Sequence, residues 1–441
     1  MRRRTSPRSA PEPDRLAAAA SPRTATLRIE RIGADGDGVA EGPAYIPFTL
    51  PGELVRATLT GKRGVAEALL EPSPARVEPP CPHFGACGGC ALQHWRDDDY
   101  AAWKAGEVAA ALARAGFADA AIGAVARTSS GTRRRLDLAL RRTGAGSVAV
   151  GLHRLRSDAV VDLDTCLVAH PRLVAIAQAL RAWLPKRALL RREGSAMLNL
   201  LDTGADVLLR TDAEPSASDR TSAAQFAHEH GVPRLFWAAG NGAPEPLAIV
   251  GTARIAFGDA AVTPPPGAFL QASPEGEAAI RAAVLAGLPE RLKPRAAIVE
   301  LYAGCGTLTF GLAAHGRVTA YEGDAAAIAA MRQAAPPGRI APVQRDLARQ
   351  PLSARELADA AVVVLDPPHA GAAPQMAALA QARVPRVVYV SCNPTALARD
   401  ARTLRDAGYA LDAVTVVDQF LWSSRVECVC VFSARPSSRG T

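Results

Sequence analysis

The run Val387-Val388-Tyr389-Val390 leads straight into Ser391-Cys392-Asn393-Pro394. A cysteine kept for packing belongs inside such a strand. This one stands at its end, before an Asn-Pro pair of the kind that stops strands and turns chains. Ligands of open α/β sheets bind at the carboxyl ends of the strands, so Cys392 is a candidate nucleophile at the mouth of a sheet. Two carboxylates accompany it. Asp366 ends an apolar run in Leu365-Asp366-Pro367-Pro368-His369-Ala370-Gly371, where two prolines end strand pairing and stiffen the loop. Glu427 stands alone in Arg425-Val426-Glu427-Cys428-Val429-Cys430, and a lone carboxylate among apolar residues needs a partner or a task. Read as structure only, Cys392 is a buried free thiol and Glu427 a surface carboxylate on an edge strand.

A third feature bears on what stands beside them. Glu300-Leu301-Tyr302-Ala303-Gly304-Cys305-Gly306-Thr307 joins a strand to a helix. Gly304 and Gly306 let the backbone turn tightly and approach a ligand. The next strand ends at Tyr321-Glu322, placing a carboxylate to accept hydrogen bonds from a ribose diol. There is no third glycine of a dinucleotide fingerprint and no Lys-Ser/Thr of a phosphate loop. Adenosine without a pyrophosphate fits better, and S-adenosylmethionine meets that description; the bland alternative is a structural turn. With that donor, a cysteine paired with a carboxylate suits methylation of a pyrimidine C5. That carbon is a poor nucleophile until a thiolate adds to C6, and a base must afterwards take the C5 proton. Covalent catalysis of this kind divides one hard step into easier ones.

The eight cysteines divide into Cys81, Cys87, Cys90 and Cys166, and Cys305, Cys392, Cys428 and Cys430. With no export signal in view, a reducing cytoplasm is the expected compartment, and clustered cysteines there suggest metal or catalysis before disulfides. The first four are soft ligands that would suit a zinc ion or an iron–sulfur cluster equally. No motif places them beside Cys392, so a metal group there is read as structural. Cys428 and Cys430, two apart on one strand, are read as core, and Cys305 as packing beside the cofactor.

The elements that must position these groups follow from patterning. From about residue 270, AAIVEL, RVTAYE, AVVVLD and RVVYV are short apolar runs of the kind buried parallel strands show. Helical stretches alternate with them, giving a doubly wound α/β domain over 266–435. Short strands broken by Gly and Pro over 24–78 suggest an OB-like barrel that could hold single-stranded nucleic acid. Between them, 79–265 is read as a central β-containing domain that carries the cysteines, with a helix over 100–116 ending at a glycine. Residues 1–23 and 436–441 are read as disordered tails. No apolar run reaches the length a membrane span needs. A net charge of +8 and a sequence pI of about 9.3 favour a polyanionic partner.

With these motifs in view, the chain resembles the RNA uracil-C5 methyltransferase family over nearly its whole length. The resemblance rests on FLQASPEG at 269–276, ELYAGCGTLTF at 300–310, LDPPHAG at 365–371, VSCNPTALARD at 390–400 and VEC at 426–428. The cysteine stretch and the barrel resemble members with a TRAM domain and a four-iron, four-sulfur cluster. The resemblance implies Cys392 as nucleophile and Glu427 as proton-abstracting base. It implies Gln271, Tyr302, Thr307, Glu322, Asp346 and Asp366 around S-adenosylmethionine. It implies Cys81, Cys87, Cys90 and Cys166 as ligands of a [4Fe-4S] cluster, with zinc the less favoured occupant.

Ser273, His369 and Arg425 stand where the family often has Asn, Arg and His. Ser273 can still cap the helix beginning at Pro274, so these departures bear on target choice more than on chemistry. The reading is a cytoplasmic enzyme acting on structured RNA, 23S ribosomal RNA first and tRNA second, with no membrane and no protein partner implied. The target uridine would be flipped out or held in a loop. The rival classes are a cytosine-C5 enzyme, which would carry a thiol in the Asp-Pro-Pro region, and a catalytically silent RNA-binding protein with a redox-sensing cluster.

Overall fold

The computed structural model describes residues 21–144, 146–293 and 296–435. The tails expected at 1–23 and 436–441 lie outside them, except that 21–23 are described and the first strand already begins at Arg23. The chain divides into two compact units between Arg76 and Val77.

The N-terminal unit is a closed five-stranded barrel, ordered Arg23–Ile32, Gly38–Ala40, Ala44–Ile46, Arg63–Glu71 and Leu54–Thr60. Alternation in Leu54–Thr60 sends Val55, Ala57 and Leu59 inward against Ile29 and Ile46, the period-2 pattern of a strand with one buried face. Buried Glu53, which precedes the strand Leu54–Thr60, accepts from Arg76 Nε at 2.6 Å and from the Leu50 N–H at 2.8 Å.

The second unit contains two large sheets. A seven-stranded sheet runs Glu245–Ile249, Arg234–Ala239, Gly204–Thr211, Glu193–Leu201, Arg135–Thr143, Ser147–His153 and Val160–Asp162. The eight-stranded sheet is the α/β element expected from the apolar runs. Five parallel strands, Ile340–Gln344, Arg317–Glu322, Ala297–Leu301, Ala360–Leu365 and Arg386–Ser391, are followed by Glu427–Ala434, Tyr409–Asp418 and the short Ala126–Arg127. Glu427–Ala434 runs antiparallel to Arg386–Ser391. Its first residue therefore lies at the edge where the parallel strands have their last residues. That reversal is what brings Glu427 to the same rim as Glu322, Asp366 and Cys392.

The helix expected over 100–116 spans Asp97–Ala115 and ends at Gly116, with three aspartates in its first turn favouring the helix N-terminus. It does not belong with the seven-stranded sheet. Val108, Ala111, Leu112 and Ala115 pack in one core with residues of Pro394–Asp406 and of the eight-stranded sheet. Residues 97–127, assigned from sequence to the central domain, thus complete the other sheet at its edge.

Candidate functional site

A cavity of about 840 Å³ opens at the carboxyl rim of the eight-stranded sheet. The glycine loop forms one wall. Tyr302 has φ of +63° and Gly306 of +99°, so the chain leaves its strand through the left-handed region that few side chains tolerate. A Cβ at Gly306 would stand 2.5 Å from the Phe310 ring. Glu322 braces this loop: Oε2 accepts from the Gly304 N–H at 2.9 Å and Oε1 from the Asp324 N–H at 2.9 Å. Tyr302, Gly304, Thr307 and Glu322 line the cavity. Gly306 does not line it. Asp346 is exposed and off the wall, its Oδ1 accepting from the Ala348 and Arg349 N–H groups at 3.0 and 3.2 Å.

Sequence reasoning passed over Glu300, which also lines the cavity. Burial, opposed by the neighbouring Thr309 hydroxyl and aided by Asp366 and Glu322, pushes its carboxyl up to about 8. Its Oε2 is buried without a partner, a position that suits a cationic ligand group. Cys305 is buried beside the loop, its thiol pushed up to about 12 by burial and by Asp324 and Glu322.

The opposite wall carries the reactive set. Ser391 pairs with Cys428, so Cys392 and Glu427, each one residue further toward the rim, lie across neighbouring strands. Burial first, then the charges of Glu427 and Asp366, push the Cys392 thiol up to about 12, with Arg425 acting the other way. Glu427 is buried, and burial followed by the Asp366 charge raises its carboxyl well above the usual range. Asp366 is raised to about 6 by burial against a hydrogen bond from Gln271. Gln271 Nε2 donates to Asp366 Oδ2 at 2.9 Å. Gln419, which no motif singled out, donates from Nε2 to Glu427 Oε2 at 2.8 Å. Cys428 and Cys430 are core residues.

The residues after Cys392 hold the Asp366 loop in place. Asn393 Oδ1 caps the helix Pro394–Asp406 by accepting from the Thr395 N–H at 2.9 Å, while its Nδ2 donates to His369 O at 2.8 Å. Arg399 Nη2 donates to Ala370 O at 2.9 Å, and buried Asp400 accepts from the Ala372 N–H and the Tyr389 hydroxyl, both at 2.7 Å. Three residues of one motif therefore latch the loop of another. Arg134 does the same for Gln271: its N–H donates to Ala272 O at 2.8 Å and its Nε to Gln271 O at 3.1 Å, and it pairs with buried Glu277. Phe269 projects at the rim, 63% exposed, with the Arg135 guanidinium 5.1 Å from its ring.

Cys81, Cys87, Cys90 and Cys166 line the same cavity as Cys392, which removes the ground on which sequence reasoning set them apart from the chemistry. Among the described residues no group of three or more His, Cys, Asp or Glu is arranged to hold a metal ion. The four thiols are nonetheless near enough to interact. Cys90 is pushed up to about 12 by burial and then by Cys166, Cys87 and Cys81, against a hydrogen bond from Gln93. Backbone N–H groups already point at two of the sulfurs, Gly89 at Cys87 and Ala169 at Cys166, both at 3.4 Å. The loop also reaches the reactive wall: Ala91 and Leu92 N–H both donate to Trp422 O, at 2.9 and 3.0 Å.

Comparison with known proteins agrees with this geometry. The family described as tRNA (Uracil-5-)-methyltransferase matches residues 359–435, the stretch holding Asp366, Cys392 and Glu427. An "Uncharacterized RNA methyltransferase" of Caulobacter vibrioides is 42% identical over 92% of this chain and 99% of its own. A "23S rRNA (uracil(1939)-C(5))-methyltransferase RlmD" of Chromohalobacter salexigens is 32% identical over 94% of this chain and 90% of its own. Among solved structures, the Pyrococcus abyssi tRNA (uracil-54, C5)-methyltransferase, in complex with S-adenosyl-L-homocysteine, matches with a TM-score of 0.70 at 22% identity, covering 92% of this chain and 99% of that one; this likeness is one of fold. The chain belongs to the RNA uracil-C5 methyltransferase family.

Proposed function

We propose that this protein methylates C5 of a uridine in 23S ribosomal RNA by covalent catalysis through Cys392. The observation that carries the reading is the placement of Cys392 and Glu427 at the ends of neighbouring strands, at the wall of one cavity, with an acidic loop across from them. Glu322 and Asp324 give that side the charge to receive a cationic donor, and Glu300, which holds its proton at rest, can ionise beside it. S-adenosylmethionine, when bound there, supplies the electrophilic methyl group. Gln271, Tyr302, Thr307, Glu322 and Asp366 are read as its surroundings, with Asp346 at the outer edge.

In the resting site the Cys392 thiol keeps its proton, because burial and two neighbouring carboxyl groups oppose a thiolate. With a cationic donor bound beside Asp366 and Glu427 that opposition would be relieved, and the Cys392 thiol and the Glu427 carboxyl would release their protons to solvent. Sγ of Cys392 then adds to uracil C6, and the ring electrons move toward O4. The enolate pair would return through C5 to form its bond to the methyl group, and the pair of the broken S–CH3 bond would stay on the donor sulfur. Glu427 takes the C5 proton, the C5–H pair re-forms the C5–C6 double bond, and the C6–Sγ pair returns to Cys392.

The barrel is read as a TRAM-type RNA-binding unit in a cytoplasmic enzyme. Cys81, Cys87, Cys90 and Cys166 are read as ligands of a [4Fe-4S] cluster. The backbone N–H groups aimed at Cys87 and Cys166, and the nearby Arg133 guanidinium, suit the negative charge of four thiolates. The ribosomal assignment leans on the 23S rRNA relative; the tRNA enzyme of similar fold makes tRNA the second reading.

Denaturing gels with a labelled methyl donor test the chemistry. Cys392→Ala should make no 5-methyluridine and no covalent species, whereas Glu427→Gln should accumulate a covalent, methylated RNA–protein adduct. Glu427→Gln turning over like wild type, or Cys392→Ala retaining product, would sink the mechanism. Mapping of ribosomal and transfer RNA from a deletion strain assigns the substrate: 5-methyluridine should vanish from 23S rRNA, and its loss from tRNA alone overturns the ribosomal reading.

A further inference from the structure

Gln419 follows the strand Tyr409–Asp418. Its Oε1 accepts from the Ala272 N–H at 3.0 Å, and its Nε2 donates to Gln271 Oε1 and to Glu427 Oε2, both at 2.8 Å. The orientation of this amide is not a matter of choice. A backbone N–H can only donate, so the Gln419 oxygen must face Ala272 and its nitrogen must face the other two. Gln271 must then turn its oxygen to Gln419 and its nitrogen to Asp366. One fixed N–H thus sets the direction of every hydrogen bond in the row joining Asp366 to Glu427. At the Glu427 end the two carboxyl oxygens become unequal. Oε2 is committed as an acceptor, while Oε1 is buried, without a partner, on a residue that lines the cavity.

Packing supports the same arrangement. A Cβ at Gly276 would stand 2.6 Å from Cβ and 3.2 Å from Oε1 of Gln419, so that glycine leaves the slot the glutamine fills. On either side of Gln419 the chain is pinned by Lys104, whose Nζ donates to Asp418 Oδ1 at 2.5 Å and to Phe420 O at 3.1 Å. Lys104 and Asp418 are both buried.

We propose that Gln419 is the positioning residue of the proton-removal step, holding Glu427 through Oε2 so that the C5 proton goes to Oε1. The proposal rests on the reading of Glu427 as the base. The step balances as before: the C5–H bond breaks to Oε1, C5=C6 re-forms, and the C6–Sγ pair leaves on Cys392. The ionisable groups around Glu427 are Asp366, Cys392 and Cys428, and Gln419 is a neutral donor that favours its carboxylate form.

Gln419→Met keeps length and removes the amide. With RNA carrying 5-fluorouridine, this variant should form the Cys392 adduct at the wild-type rate, which reports an intact fold and nucleophile. With ordinary RNA the methylated covalent species should persist, its release slowed on the order of tenfold at neutral pH, the scale of one lost hydrogen bond to a charged group. The pH of half-maximal release should move up by about one unit, because the carboxylate has lost its donor. A structural role would lower release at every pH without moving that midpoint. Wild-type release with an unmoved midpoint overturns the proposal. So does a failure to form the fluorouridine adduct, since the amide would then serve addition or folding. Glu427→Gln run in parallel separates the two claims. If it traps the adduct while Gln419→Met behaves as wild type, only the positioning role fails; if it turns over freely, the base assignment fails as well.

Discussion

Glu427 is a carboxyl group removed from water and facing another carboxyl group, Asp366. Its proton is held in the folded chain above the pH at which an unfolded glutamate loses it. The folded state then binds more protons than the unfolded state, so stability falls as pH rises from about 4.3, the ordinary glutamate value, until the folded-state pKa is passed. Asp366 adds a smaller loss of the same sign that ends near its own value of about 6. Glu427→Gln removes the larger of these while keeping an acceptor for Gln419. Its melting temperature should exceed that of wild type by a few degrees, about 1 kcal/mol or more for one pKa unit, with the gap widening from pH 5 to pH 8. A gap constant with pH would show that Glu427 does not hold its proton in this way. Cys392 and Glu427 were legible in sequence because each breaks the pattern around it, a thiol after a strand and a carboxylate among valines. Gln419 was not. A glutamine after a strand is unremarkable, and its meaning comes from Ala272, Gln271 and Glu427, of which the first two lie more than a hundred residues away in the chain.

At the scale of elements, the glycine loop and the carboxylate that follows it form one unit. Glu322 was expected to meet a ribose, and in the structure its Oε2 accepts from the Gly304 N–H. Glu322→Ala should therefore weaken S-adenosylmethionine binding by about 1.5–3 kcal/mol, and part of that loss should be a loosened loop. Gly306→Ala serves as the partner experiment, since it disturbs the loop through φ and the Phe310 contact while leaving the carboxylate alone. Calorimetry should find both variants weakened. Unchanged affinity in Glu322→Ala would mean that the loop does not hold the donor. The strands were readable because parallel strands buried on both faces are apolar throughout. The assignment of residues 97–127 went astray because a two-residue strand such as Ala126–Arg127 has no periodicity to read. Asp346 illustrates the same limit: a carboxylate after a strand can serve a ligand or cap a turn, and here its Oδ1 caps one.

At the scale of the whole second unit, the cysteine loop is tied to the reactive wall. Cys166 lies far along the chain from Cys81, Cys87 and Cys90, so a shared metal group would fasten two distant segments together. Anaerobically purified protein should contain iron and sulfide at about four each per chain. Cys166→Ala should lose that iron and sulfide and unfold at lower temperature. Zinc without visible absorbance would overturn the cluster assignment. The neighbourhood of these thiols and Cys392 was illegible because it depends on how the loop returns across the cavity, and no local motif encodes that return.

The two N–H groups of Ala91 and Leu92 meet at Trp422 O, between Gln419 and Arg425. Those protons are shielded only while the loop and the reactive wall stay together. Their hydrogen–deuterium exchange is a built-in clock for the opening of this wall. It should slow when RNA or methyl donor closes the site and quicken when the cysteine loop is loosened, reporting in time a coupling that the structure expresses as two distances.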